Sequence, residues 1–304
     1  MRATRRPTCR WPGEGPSLAF LPKLQLSCAG PPLLLWYLIV LAVVQGITEF
    51  LPVSSSAHLA LVPWFVDMPD QGIWFDIAVH VGSLGAVVIY FWRDVWALLV
   101  GVGHTARRQD SAQRHLLLLV VVGSLPIVVI GAVVAGFDLL DAMRRPAVIA
   151  VASIFFGIVL WRIDETRPHT RRTADLDLPE ALKIGCAQVL ALIPGTSRSG
   201  ITITAGRYLA LDRREAARFS MLLALPAVLG SGVVLAIKAY IGDVAADVIR
   251  DLLIAGGLAL VAAWVSIGFM MWLVGQTSYK WFVVYRVALG VLLLGFVFAG
   301  ILPA

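Results

Sequence analysis

The sequence predicts an all-α polytopic membrane protein, with a single membrane domain over residues 33–304. Of its 304 residues, 59% are apolar and 14% are charged, and the mean hydropathy is +0.84. A soluble domain carries about 25% charged residues, so an ordinary soluble fold is excluded. Long apolar segments also follow one another from residue 33 onward, and polar residues interrupt that pattern in two places.

Each apolar segment is assigned by its length. A helix that crosses a bilayer needs about 20 mostly apolar residues. Six full crossings are predicted, at 77–100, 116–137, 146–161, 219–237, 252–275 and 287–302. Two further pairs of apolar pieces, 33–51 with 57–66 and 184–194 with 199–206, are joined by breaks rich in Pro, Gly and Ser. Irregular backbone at membrane depth is tolerated only inside protein or around a cavity, so each pair is predicted to be a re-entrant helical hairpin.

The two hairpins resemble each other in sequence. Residues 52–55 read Pro-Val-Ser-Ser and residues 194–197 read Pro-Gly-Thr-Ser, with Gln45 and Gln188 at similar distances upstream. Three crossings follow each hairpin, and an odd number of crossings inverts the second copy. We therefore expect an inverted repeat of a re-entrant hairpin plus three transmembrane helices, with repeat one at 33–163 and repeat two at 180–304. Chance similarity of Pro/Ser turns is the alternative.

The basic residues predict the orientation. Counting crossings places the connections 101–115, 162–183 and 207–218, together with Lys280, on one side. These carry 13 Lys and Arg residues, against 4 in the connections of the other side. Cytoplasmic loops carry the excess of Lys and Arg, so this side is predicted to be cytoplasmic. The net charge of +6 therefore reflects topology, and no nucleic-acid partner is expected. We expect residues 1–32 to be a disordered basic tail that the membrane domain does not need.

The first break carries candidate catalytic residues. Gln45 and Glu49 are four residues apart, on one helical face, and three serines at 54–56 precede His58. A carboxylate inside a membrane segment costs roughly 2.5–3.5 kcal/mol on insertion scales, which indicates a functional cavity. A serine beside Glu49 and His58 would have a base within reach, and His58 is itself a candidate nucleophile or acid. A polar stripe that holds helices together is the alternative.

The second break has the features of a phosphate site. Arg198 offers planar paired donors that match phosphate oxygens, and Ser197, Ser199 and Thr202 offer hydroxyl groups. The short helix that starts here would also point its free N–H groups at an anion. The alternative is that Arg198 only forms a structural ion pair with Glu49.

Two other polar groups are less specific. Asp76 and His80 lie four residues apart at the start of a crossing, where they either line the mouth of the same cavity or cap the helix. The three cysteines, Cys9, Cys28 and Cys186, show neither paired spacing nor a metal-binding motif.

Together, residues 45–58 and 194–202 resemble the signatures of the undecaprenyl-diphosphate phosphatase family, the bacitracin-resistance type of integral membrane enzyme. The resemblance covers about residues 33–304. It implies a hydrolase of the bacterial inner membrane that converts undecaprenyl diphosphate to the monophosphate lipid carrier used in cell-wall synthesis. It also implies a pocket open to the outer, periplasmic side and a divalent cation, Mg²⁺ or Ca²⁺. A homodimer is left open.

By position, the resemblance makes Glu49 the essential carboxylate, Ser55 the nucleophile or substrate-orienting serine, and His58 the matched histidine. Ser197, Arg198, Ser199 and Thr202 would bind phosphate, with Arg198 also catalytic. Glu49 and Gln45 would be metal ligands, although many members have a carboxylate where this chain has Gln45.

Two alternative functions are weighed. A lipid phosphatase of the phosphatidic-acid type would need a histidine after Arg198, and none follows. A polyprenyl-phosphate transporter or flippase fits the inverted repeat equally well.

Overall fold

A computed structural model describes residues 35–66, 73–134, 145–241 and 246–302. The tail predicted at 1–32 lies outside these ranges. The described residues form α-helices, with 3-10 turns at Thr173–Asp175 and Val189–Leu192. The α-helices are α1 (Leu35–Thr48), α2 (Ser55–Val66), α3 (Ile73–Tyr90), α4 (Trp92–Ala106), α5 (Ala112–Val134), α6 (Pro146–Thr166), α7 (Leu178–Gln188), α8 (Arg198–Tyr208), α9 (Arg213–Ile241), α10 (Ala246–Val274) and α11 (Lys280–Phe298).

The helices are those of a multi-pass membrane protein, as predicted. Within the described residues, four helices are long and apolar enough to cross a membrane: Ala112–Val134, Pro146–Thr166, Ile249–Val274 and Lys280–Phe298. Large apolar side chains such as Val129, Phe155, Val265 and Val291 point outward on these helices, which suits contact with lipid. The bent pair α3–α4 offers a fifth crossing. The predicted total of six stays a prediction.

The crossing predicted at 77–100 is not one straight helix. The chain bends by 89° between α3 and α4, where Phe91 leaves the helical conformation with φ −102° and ψ 32°. On α4 the exposed apolar side chains Trp92, Trp96 and Leu99 form one stripe. At the start of α4, Asp94 pairs with Arg218 of α9. An apolar stripe opposite charged residues is typical of a helix that lies in the membrane interface.

Both breaks contain a serine with positive φ just before the second helix. Ser54 has φ 74° and Ser197 has φ 69°, a region that residues other than glycine enter rarely and at a cost of order 1–3 kcal/mol. Ser55 and Arg198 are then the first residues of α2 and α8. The alignment of the two breaks is therefore corrected by one residue, because Ser55 corresponds to Arg198 and not to Ser197.

Helix packing supports a repeated architecture. The hairpin helix α1 packs on α10, and the corresponding helix α7 packs on α5. Likewise α3 packs on α10 as α9 packs on α5, and α6 pairs directly with α11. If α1, α2, α3, α5 and α6 correspond to α7, α8, α9, α10 and α11, each of these contacts in one set has its counterpart in the other. The inverted relation between the two sets remains a prediction.

Connections that were predicted to share one side do meet there. The carboxylate of Asp164, near the end of α6, accepts hydrogen bonds from Arg207 at 2.9 Å, from Arg213 at 2.9 Å and from the backbone N–H of Tyr279 at 3.1 Å. Arg145 precedes the opposite end of the 21-residue helix α6, which is about 30 Å long at 1.5 Å per residue. Residues of the connections 162–183 and 207–218 therefore meet beside Lys280 at one end of α6, while their side of the membrane stays a prediction.

Candidate active site

Glu49 joins the two breaks through its carboxylate. Oε2 accepts hydrogen bonds from Ser55 Oγ at 2.6 Å and from Gln45 Nε2 at 2.9 Å, and Oε1 accepts one from Arg198 Nη2 at 2.9 Å. The Nε2 atom of His80 lies 3.5 Å from Oε2. Glu49 is 8% exposed, so a buried charge is held by polar groups from three separate parts of the chain.

These contacts decide two questions of placement. Glu49, Ser55, Gln45 and Arg198 do come together, and the ion pair considered between Arg198 and Glu49 is present. His80 was expected either at the mouth of the site or as a helix cap, and its ring lies beside the Glu49 carboxylate. The contact with Glu49 uses only one nitrogen of Arg198, and Nη1 is buried without a hydrogen-bond partner in the described residues. That nitrogen is therefore a free donor beside the carboxylate.

The start of α8 presents further donors. Ser197 caps the helix, since its Oγ accepts the N–H of Gly200 at 3.1 Å. Its hydroxyl also lies 3.1 Å from that of Ser199, which donates to the carbonyl of Leu51 in the first break at 3.0 Å. Because a helix N-terminus leaves its first N–H groups unpaired and positive, this end suits an anion.

Thr202 and His58 lie apart from the carboxylate group. The hydroxyl of Thr202 contacts Ser220 of α9 at 2.6 Å and donates to the Arg198 carbonyl at 2.8 Å. His58 Nδ1 lies 2.8 Å from the Ser54 carbonyl, and Nε2 lies 2.5 Å from the Tyr285 hydroxyl. The carbonyl can only accept, so in the neutral ring Nδ1 carries the proton and Nε2 accepts from Tyr285. Both ring nitrogens of His58 are thus occupied away from Ser55.

The described residues offer few side chains that could bind a divalent cation near Glu49. Within the described residues, no three His, Cys, Asp or Glu side chains are grouped as metal ligands. Gln45 Oε1, however, is buried without a partner there, one helical turn from the Glu49 carboxylate. Mg²⁺ is often held by one or two carboxylates together with substrate phosphates, and Gln45 with Glu49 fits that arrangement.

Arg286 and Tyr285 also lie at the site, and neither was predicted from the sequence. Arg286 is fully buried, and its guanidinium donates to backbone carbonyls of both breaks. The signal was present, because Arg286 interrupts the apolar run of α11. The last crossing was predicted to start at residue 287, which left Arg286 in a loop where an exposed arginine is ordinary. The helix in fact starts at Lys280. Tyr285 carried no signal, since a tyrosine near a helix end is usually read as an interface residue.

Known proteins are similar in sequence to this chain over most of its length. A family model described as "Bacitracin resistance protein BacA" matches residues 38–292. A protein of Roseobacter denitrificans named undecaprenyl-diphosphatase is 43% identical over 266 residues, which cover 87% of this chain and 99% of that protein. A protein of Ruegeria pomeroyi with the same name is 44% identical over 267 residues, again with 87% and 99% coverage. The match includes both breaks and the helices that pack on them, so the chain belongs to the bacitracin resistance protein BacA family.

Proposed function

We propose that this protein hydrolyses undecaprenyl diphosphate to undecaprenyl phosphate and inorganic phosphate, which returns the lipid carrier to cell-wall synthesis. The relatives named undecaprenyl-diphosphatase align over nearly their whole length. The observation that carries the chemistry is the contact of Glu49 with Ser55 at 2.6 Å and with Arg198 at 2.9 Å. A base, a hydroxyl nucleophile and a guanidinium are what transfer of a phosphoryl group requires.

Ser55 is the nucleophile in this proposal. Its Oγ–H already points at Glu49 Oε2, so the carboxylate takes the proton as Oγ forms a bond to the terminal phosphorus. The bond from that phosphorus to the bridging oxygen breaks, and the lipid monophosphate leaves with the bridging oxygen. Water then attacks the phosphoserine, its oxygen bonds to phosphorus as Ser55 Oγ leaves, and the proton on Glu49 returns to Oγ. This releases inorganic phosphate and restores both the hydroxyl and the carboxylate. His58 was the other candidate, but its two nitrogens face Ser54 and Tyr285, which favours Ser55.

Arg198 binds the transferring phosphoryl group. Its Nη1 has no partner among the described residues, and a planar guanidinium can serve Glu49 with one nitrogen and a phosphate oxygen with another. The N-terminus of α8, with Ser197 and Ser199, adds donors for the remaining oxygens. Thr202 stays a predicted member of this set. Gln45 and Glu49 would hold Mg²⁺ or Ca²⁺ together with the substrate, where the ion neutralises phosphate charge.

We also place the protein in the bacterial inner membrane, with the pocket open to the periplasmic side. The support is the 13-to-4 distribution of basic residues together with the clustering of Arg207 and Arg213 on one face. The positive-inside rule makes that face cytoplasmic. A homodimer stays a prediction that the mass of the purified protein would test.

The test is release of inorganic phosphate by the purified protein in detergent. Undecaprenyl diphosphate should give phosphate and undecaprenyl monophosphate should give none. Ser55→Ala should lose nearly all of the release. If the wild type moves the lipid across vesicles without releasing phosphate, the protein is a carrier, as the transporter alternative holds.

A further inference from the structure

Arg286 is a buried cation that lies beneath both breaks. It is the seventh residue of α11 and its side chain is fully buried. Among the described residues, the only other arginine buried to this degree is Arg207, which pairs with Asp164. Arg286 has no carboxylate within ion-pair distance in the described part of the chain. A guanidinium this deep is costly, so its contacts must account for its presence.

Those contacts link the two hairpins. Arg286 Nη2 donates to the carbonyls of Gly195 at 2.9 Å and Thr196 at 2.8 Å, in the second break. Nη1 lies 3.4 Å from the carbonyl of Pro52, in the first break. A single planar group therefore binds both breaks, each within a few residues of Ser55 or Arg198.

Glycines leave room for this guanidinium. A Cβ atom added at Gly200 would lie 2.8 Å from Arg286 Nη1, closer than real side chains approach. A Cβ at Gly157 would lie 3.4 Å from the Arg286 Cβ, an ordinary van der Waals contact, so Gly200 is the position that leaves the room. Gly200 is in the first turn of α8, two residues after Arg198. The side chain of Arg286 is thus packed directly against the helix that carries the phosphate-binding residues.

We propose that Arg286 is a positioning residue that fixes the distance between the Glu49–Ser55 pair and Arg198. It touches neither of these side chains and acts through the backbone of the two breaks. A misplacement of a catalytic group by about 1 Å can lower the rate on the order of a hundredfold. The gain in rate from a fixed geometry therefore explains why a buried charge is tolerated here. This inference rests on the proposed function and gives α11 a part in the geometry of the active site.

The first test compares Arg286→Lys with Arg207→Lys. Lysine keeps the charge but loses the planar fork, so Arg286→Lys should lower kcat by about tenfold or more with KM changed by less than about threefold. Both constants are measured on monodisperse protein in detergent. Arg207 is equally buried and also donates to carbonyls, yet it lies on the Asp164 face. Arg207→Lys should reduce thermal stability while kcat of the folded fraction stays near that of the wild type.

The second test is a double-mutant cycle with Arg198→Lys. If Arg286 holds Arg198 in place, Arg198→Lys costs much less in the Arg286→Lys background than in the wild type. Losses of rate that simply add would overturn the proposal, because two substitutions that act independently of each other give additive effects. Gly200→Ala, whose Cβ would lie 2.8 Å from Arg286 Nη1 and 3.1 Å from the Ser197 Cβ, should reproduce the pattern and provides the test if Arg286→Lys is not recovered folded. Absence of phosphate release in the wild type is a separate result that concerns only the proposed function.

Discussion

Replacing Glu49 with glutamine separates the chemical role of the carboxylate from its structural role. The glutamine side chain has nearly the same shape as that of glutamate, and the neighbouring groups can form hydrogen bonds with its amide. Its oxygen would face Arg198, and its NH₂ would face the Ser55 hydroxyl and the unpartnered Oε1 of Gln45, if Gln45 turns its amide over. The main structural loss is the negative charge beside Arg198. We expect this to cost about 1.5–3 kcal/mol of stability, the range for hydrogen bonds to charged groups.

The rate should fall much further. Glutamine cannot accept the proton of Ser55, and loss of a general base typically costs about 10²–10⁴ in rate, or roughly 2.7–5.5 kcal/mol of activation free energy. Phosphate release from undecaprenyl diphosphate and thermal unfolding are measured on the same preparation. Glu215→Gln is the matched control, because Glu215 accepts from Thr173 N–H at 2.8 Å and from Arg218 at 3.2 Å away from the site. The control should lose stability and keep its rate.

Two results would refute this reasoning. Glu49→Gln that keeps its rate within about tenfold of the wild type would exclude the carboxylate as the base. An equal loss of rate in Glu215→Gln would show that the assay reports folding. A Glu49→Gln/Arg198→Gln variant adds a further check, since removing both charges should recover most of the lost stability and none of the activity.

Three other predictions follow from the site and the fold. Arg198→Lys should lower kcat/KM by about 10²-fold with normal folding, since lysine cannot serve Glu49 and phosphate at once; near-normal turnover would remove the clamp role. Gln45→Met should raise the Mg²⁺ concentration that gives half-maximal activity several-fold, with rate at saturating Mg²⁺ largely kept; an unchanged midpoint would take Gln45 out of the ligand set. In intact cells, single cysteines at Arg108, Arg172 and Arg213 should resist an impermeant thiol reagent, whereas one at Arg145 should react; the opposite pattern would invert the topology.

Hydropathy and short motifs predicted much of this protein. The helices and both breaks follow from where charges and Pro/Ser turns interrupt apolar runs, because lipid penalises both. The Glu49–Arg198 ion pair was only an alternative to a phosphate-binding role for Arg198. The bend at Phe91 could not be read in this way. It is accompanied by the pairing of Asp94 with Arg218, 124 residues later in the chain, and hydropathy within one segment contains nothing about such a partner.

The placement of side chains within the site was predicted less well. The spacing of Glu49, Ser55 and His58 suggested one cluster, but backbone direction at Ser54 turns His58 toward Tyr285 of α11. The one-residue shift between the two breaks likewise depends on the positive φ of Ser54 and Ser197, which residue identity alone does not give. Local conformation and distant partners, and not composition, decide these details.

The pairing of Glu49 with Arg198 also constrains the order of biosynthesis. The two residues are 149 positions apart. At a rate of synthesis of about 5–20 residues per second, Arg198 is made roughly 7–30 s after Glu49. During that interval, membrane burial of Glu49 has no guanidinium to offset its cost. The first hairpin is therefore expected to remain near water, or to carry a protonated Glu49, until the second hairpin is made. A chain truncated after Thr166 should accordingly leave a cysteine at Val53 open to a water-soluble thiol reagent, from which the full-length protein shields it.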